Sequence, residues 1–133
     1  GVELVAGGSS WSSASDRNLK EHFAPVDGRD VAARLAKLPV ATWNYKAQDP
    51  AIRHMGPVAQ DFYAAFGLGE DDGHISAVDA DGVALAAIQG LYRSSQEQAA
   101  HIRALEAENA AQQGQIAELE ARLAALEAKL TQG

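Results

Sequence analysis

IRALEAENAAQQGQIAELEARLAALEAKL, residues 102–130, spaces Ile102, Leu105, Asn109, Gln112, Ile116, Leu119, Leu123, Leu126 and Leu130 three and four residues apart in alternation. A seam recurring every 3.5 residues specifies a coiled coil, because one straight helix cannot bury it against a small domain. Ile102, Asn109, Ile116, Leu123 and Leu130 take the a positions, and Leu105, Gln112, Leu119 and Leu126 the d positions. Arg122 then falls at g and Glu127 at the following e, which face each other between neighbouring parallel helices. A lone helix would leave each aliphatic seam residue in water at a cost of about 1.5–3 kcal/mol. The chain is therefore read as a parallel oligomer. Asn109 and Gln112 fix the register at a cost in stability, and Gly114 at f loses about 1 kcal/mol of helix propensity against alanine. The middle of the coil is its weakest stretch. Ile at a with Leu at d favours two strands, but Leu123, Leu130 and the polar layers dilute that preference, so the heptads leave two and three strands open.

Composition narrows the remainder. The chain has 133 residues, and subtracting the coil leaves a head too small for a deep core. Without cysteine, neither disulfides nor thiolate metal sites are available. A net charge of −7 with no basic stripe argues against a nucleic-acid surface, and no apolar run reaches the roughly 18 residues of a membrane span. The charged and apolar regions of a signal peptide are missing at the N-terminus, and the opening at Gly1 reads as the end of a preceding segment.

Along the head, Val2 to Val5 alternate as a strand remnant before a Gly- and Ser-rich link to residue 14. Ser15 to Lys20 is polar. Asp30 is placed to cap a short helix with Val31, Leu35 and Leu38 on one face, stopped by Pro39. Val40 to Lys46 reads as a strand with Trp43 and Tyr45 on one side, and residues 47–54 as a polar loop. Met55 to Gly67 carries proline near its start and glycine at its end, the signature of a short helix. His74 to Val78 is a candidate strand, and Asp79 a candidate N-cap for one helix running through Leu85, Ile88 and Leu91 into the coil. The fold class is α+β: a small mixed head followed by a long C-terminal helix that forms the coil.

Four blocks in order carry a resemblance. Ser15-Asp16-Arg17-Asn18-Leu19-Lys20-Glu21, Trp43-Asn44-Tyr45, His54-Met55-Gly56-Pro57-Val58-Ala59-Gln60-Asp61 and Val78-Asp79-Ala80-Asp81-Gly82, followed by the coil, resemble the intramolecular chaperone auto-processing domain. That domain closes phage tailspikes, endosialidases, tail fibres and related bacterial surface proteins. The resemblance implies a parallel homotrimer that templates folding of the β-rich fibre upstream and then cuts itself off before the serine of the S-D block. It places the scissile bond at Ala14–Ser15, with Ser15 as nucleophile and Lys20 as general base. It also implies residues 1–14 as the end of the fibre, 15–93 as the chaperone head and 94–133 as the trimerisation stalk. The product would belong to a virion tail fibre or tailspike, or to a bacterial surface. The implied partners are copies of the chain and the upstream domain, with no nucleic acid, membrane or cofactor. Two other readings are a structural tip that never cleaves and a receptor-binding tip using the Trp43 and Tyr45 face.

The implied chemistry sets conditions. A lysine serves as base only where burial or a nearby cation favours its neutral form. Five residues separate Ser15 from Lys20, about 140° on a helix and opposite faces of a strand, so a turn or a neighbouring subunit must bring them together. Taken alone, Ser15 and Asp16 fit a turn cap, and Arg17 and Lys20 fit solvated charges. Asp16, His54 and Gln60 are candidate supporting residues, although a structural histidine and a surface helix explain the last two as well. Trp43 and Tyr45 read as core. Glu70-Asp71-Asp72 and Asp79-Ala80-Asp81-Gly82 lack the further ligands of a calcium loop, and the four histidines lack zinc spacing, so no metal is expected. Two positions depart from the family pattern, Ala80 in place of an aromatic residue and Gly90 in place of a glutamate. They put subunit packing near the coil in doubt.

Overall fold

The computed structural model describes residues 1–133, which divide into two compact units, 1–92 and 93–133. In the first, β1 (Val2–Glu3) pairs antiparallel with β2 (Ser12–Ser13), Val2 opposite Ser13. The Gly/Ser stretch expected to be a link is thus a hairpin, closed beyond the strands by Ala14 N–H donating to Gly1 O at 2.8 Å. A 3-10 turn at Arg17–Leu19 follows.

The first α-helix, α1 (Gly28–Leu35), starts earlier than the sequence indicated. Its cap is Asp27 and not Asp30: Asp27 has extended backbone and its Oδ1 accepts from Arg29 N at 2.9 Å. Asp30 lies one turn inside, where it pairs with Arg34 at 2.6 Å. Val31, Leu35 and Leu38 are half-buried on one face, as their spacing predicts.

β3 (Ala41–Trp43) and β4 (His54–Gly56) form a second antiparallel pair with Trp43 opposite His54. β4 takes residues assigned above to a loop and a helix, because three residues ended by Gly56-Pro57 are too few to show alternation. Arg53 staples the pair, donating to Thr42 O at 2.9 Å, Thr42 Oγ1 at 3.1 Å and Asn44 Oδ1 at 3.1 Å. α2 (Ala59–Phe66) begins after Pro57 and ends at Gly67, whose φ of 62° lets its N–H reach Tyr63 O at 2.8 Å. It packs on α1, with Arg34 donating to Ala65 O at 3.3 Å.

α3 (Ala77–Gln132) is one continuous helix. Of the candidate strand at His74 to Val78, Ala77 and Val78 belong to α3 and residues 74–76 form no strand; Asp79 lies in the first turn of the helix and not at its cap. There the carboxylate complements the positive end of the helix dipole. No helix is long and apolar enough to cross a membrane.

The buried interior of the first unit is small. Phe62 of α2 and Val83 and Ala87 of α3 are its buried apolar side chains, joined by Gly28 and Gly90. The two glycines are a matched pair. A Cβ on Gly28 would sit 2.5 Å from Ala86 O and 2.8 Å from Gly90 N, and one on Gly90 would fall on the Gly28 carbonyl and 2.7 Å from Arg29 N. The first turn of α1 therefore meets α3 backbone to backbone. Gly90, a departure from the family pattern, is required here by packing within the chain.

Gly90→Ala is expected to destabilise the head by about 1–3 kcal/mol, since backbone cannot move aside as a flexible side chain can. Gly82→Ala in the same helix, where a Cβ meets nothing within 4 Å, should instead stabilise by about 0.5–1 kcal/mol. Urea denaturation of both variants beside wild type measures the two signs; equal behaviour would refute the close approach.

Candidate functional site

Ser15 and Lys20 meet. Lys20 Nζ donates to Ser15 Oγ at 2.6 Å, both side chains being exposed in the single chain. The 3-10 turn between them closes the five-residue gap that neither a regular helix nor a strand would close. Asp16 organises that turn: its Oδ1 accepts from Asn18 N at 2.8 Å and from Asn18 Nδ2 at 3.0 Å. Leu19 N–H to Asp16 O at 3.1 Å and Lys20 N–H to Arg17 O at 3.2 Å complete it. The preceding residue, Ala14, follows directly on β2, so the Ala14–Ser15 peptide lies between a strand and a turn.

Two features next to the dyad had no clear signal in the sequence. The Arg17 guanidinium lies 5.6 Å from the centre of the Phe23 ring, a cation–π contact. His22 has a φ of 54°, left-handed backbone that bends the chain between Lys20 and Phe23.

His54 and Gln60 have neighbours of their own. His54 Nε2 lies 2.9 Å from Gln48 Oε1, and its ring is 5.0 Å from Trp43 and 5.4 Å from Tyr45. Trp43 and Tyr45 meet edge-on at 4.9 Å, and Trp43 Nε1 donates to Gly56 O at 3.3 Å. These contacts make His54 a member of an aromatic cluster. Trp43 is half-buried and Tyr45 is 56% exposed, so the pair is not the core expected of it. Gln60 is exposed and lines a cavity of about 470 Å³ with Trp43, Tyr45, Val58, His74 and Ile75.

The seam residues from Ile102 to Leu130 are all exposed in the single chain. Arg122 pairs within its own helix with Glu118 at 2.7 Å, and Gln112 with Glu108 at 3.3 Å. In the acidic turn, a hydrogen bond from the His74 ring, then one from Gly73 N–H, holds the Asp71 carboxyl below its usual 3.8. A depressed carboxylate contributes stability above that value and loses it as pH falls, and at this exposed site the contribution is small.

Replacing Asp16 with alanine removes the acceptor of two donors and is expected to loosen the turn by about 1 kcal/mol, within the range for lost caps. Hydrogen exchange at the Asn18 amide should then quicken roughly fivefold; an unchanged rate would show that Asp16 does not hold the turn.

No curated protein matches the chain at a significant level. The family model described as chaperone of endosialidase, classed as a peptidase, matches residues 15–68. The match begins at Ser15 and spans the 3-10 turn, α1, the β3–β4 pair and α2. Residues 15–68 of this chain are thus a chaperone-of-endosialidase domain.

Proposed function

We propose that the chain is a C-terminal intramolecular chaperone that trimerises through α3, templates the folding of an upstream fibre or adhesin, and then releases itself by cutting Ala14–Ser15. The observation that carries the reading is the 2.6 Å contact between Lys20 Nζ and Ser15 Oγ, at the first residue of the family match. In this reading 1–14 is the end of the delivered fibre, 15–93 the chaperone head and 94–133 the stalk.

Ser15 Oγ attacks the Ala14 carbonyl carbon while neutral Lys20 takes the hydroxyl proton. The tetrahedral intermediate collapses with breakage of the Ala14–Ser15 C–N bond, and Lys20 returns the proton to the departing Ser15 nitrogen. The ester left on Ser15 Oγ is hydrolysed by water to an Ala14 carboxylate and a free serine. Exchange of an amide for an ester is uphill unless the peptide is strained or the ester is consumed. A base lysine also needs desolvation, and the dyad is exposed in the single chain. Assembly is the step that supplies both, so cleavage follows trimerisation. The exposed seam of α3 supports a partner made of the same helix, and the choice of three copies rests on the family resemblance. The setting is a virion tail fibre or tailspike, or a bacterial surface protein.

The test is intact mass of a chain extended upstream of Gly1 by a tag, with light scattering for the oligomer. Wild type is expected to yield a trimer with the mass of residues 15–133. Ser15→Ala should leave the full mass, and Lys20→Arg, which keeps charge and reach but cannot act as base, should slow cutting by about 10²–10⁴-fold. An uncut wild-type trimer would sink the protease reading and leave a fibre-registering tip that stays attached.

A further inference from the structure

The peptide between Ala14 and Ser15 is held from both sides, and the two holds belong to different parts of the chain. On the head side, Lys20 Nζ donates to Ser15 Oγ at 2.6 Å. On the other side, Ala14 N–H donates to Gly1 O at 2.8 Å, one residue beyond the Val2–Ser13 and Glu3–Ser12 pairs of the β1–β2 hairpin. Continuing that register makes Gly1 and Ala14 a hydrogen-bonded pair, and Val2 and Ser13 the neighbouring pair without exchanged hydrogen bonds. The far end of the hairpin is set by a type II turn over Val5 to Gly8. Gly8 N–H donates to Val5 O at 2.8 Å, and Gly7 supplies the φ of 82° that the third position of such a turn demands. Every residue from 1 to 20 is exposed, so the hairpin gives no buried side chain to the head.

We propose that the β1–β2 hairpin is the positioning element of the cut: by tying Ala14 N–H to Gly1 O it fixes the backbone rotation of Ala14, and with it the carbonyl that Ser15 Oγ attacks. This rests on the autoproteolysis reading above and adds what holds the bond that breaks. An attack within one chain gains speed from every rotation removed before it begins. A free Ala14 would turn about both of its backbone bonds, whereas a paired one is restrained on the side away from the nucleophile. Gly1 acts through its backbone carbonyl, so the requirement on sequence falls on Gly7, where a side chain would be strained. A two-stranded hairpin exposed to water is only marginally stable. Its population, and therefore the rate of cutting, follows the folding of the segment to be delivered. Drying of Lys20 by assembly is a separate condition. The Gly1–Ala14 hydrogen bond lies wholly within residues 1–14, so the cut breaks no bond of the hairpin and the delivered end leaves closed.

The test follows cutting against time in the full chain, tagged upstream of Gly1 and made by cell-free synthesis, with light scattering for the oligomer. Gly7→Val, a β-branched residue at positive φ, opens the turn and is expected to slow cutting roughly 10–100-fold with the oligomer unchanged. Because the chain contains no cysteine, Val2→Cys with Ser13→Cys can form one defined disulfide, and the spacing of that pair suits it. Added to Gly7→Val, the two cysteines should restore most of the lost rate under oxidising conditions and none of it under reductant. Cutting of Gly7→Val at the wild-type rate, or equally slow cutting of the oxidised and reduced forms, overturns the proposal and leaves autoproteolysis standing. Slow cutting together with loss of the oligomer also overturns it, since the hairpin would then act through assembly. An uncut wild type overturns both.

Discussion

Backbone contact between Gly28 and Gly90 is the constraint on which the head depends. With so few buried side chains, the first unit cannot rely on volume filling, and a close helix approach extracts dispersion contact from backbone atoms instead. It demands glycine on both helices and an N-terminus of α1 that starts at Gly28, which is why Asp27 is the cap. Phe62 from α2 and Val83 and Ala87 from α3 close the remaining interior. Each of these groups is small or singular, so loss of one is not shared among many neighbours.

A core this thin beside so much exposed aliphatic surface has a physical consequence. The exposed aliphatic residues of α3 can leave water only against other molecules, and in the proposed trimer those molecules are copies of the same helix. In that proposal folding and association are coupled, a suitable property for a module whose proposed task is to hold fibre chains together. The same logic applies to the dyad. The local chain brings Ser15 and Lys20 into contact, and in the proposed mechanism the dry environment that a lysine base needs comes from assembly. A cut that waits for subunits would not release an unassembled fibre.

How legible each part was depended on the range of the interactions. The seam was readable because its period is a property of the chain itself. Gly67 as a helix stop was readable for the same reason, since a left-handed residue is local. The 3-10 turn at Arg17–Leu19 was required by the spacing of Ser15 and Lys20, but its Asp16 clamp needed coordinates. β4 was missed because three residues cannot show a period, and its strand character comes from Arg53 and the pairing with β3. Asp27 and Asp30 are equally good caps in sequence, and only the position at which α1 touches α3 distinguishes them. His54 and Gln60 were grouped with the dyad through their family block, yet their contacts are with the aromatic cluster and an exposed face.

By itself the sequence determined the long C-terminal helix with its heptad seam, the mixed small head, and the family resemblance of its four blocks, because periodicity, turn residues and short motifs are written within a few consecutive positions. Tertiary structure decided where the helices begin, why Gly90 stands where a glutamate is usual, which aromatic residues cluster, and that Lys20 reaches Ser15. Those outcomes depend on distances between groups far apart in the chain or on the precise bend of a turn, and neither is encoded in the period of a pattern.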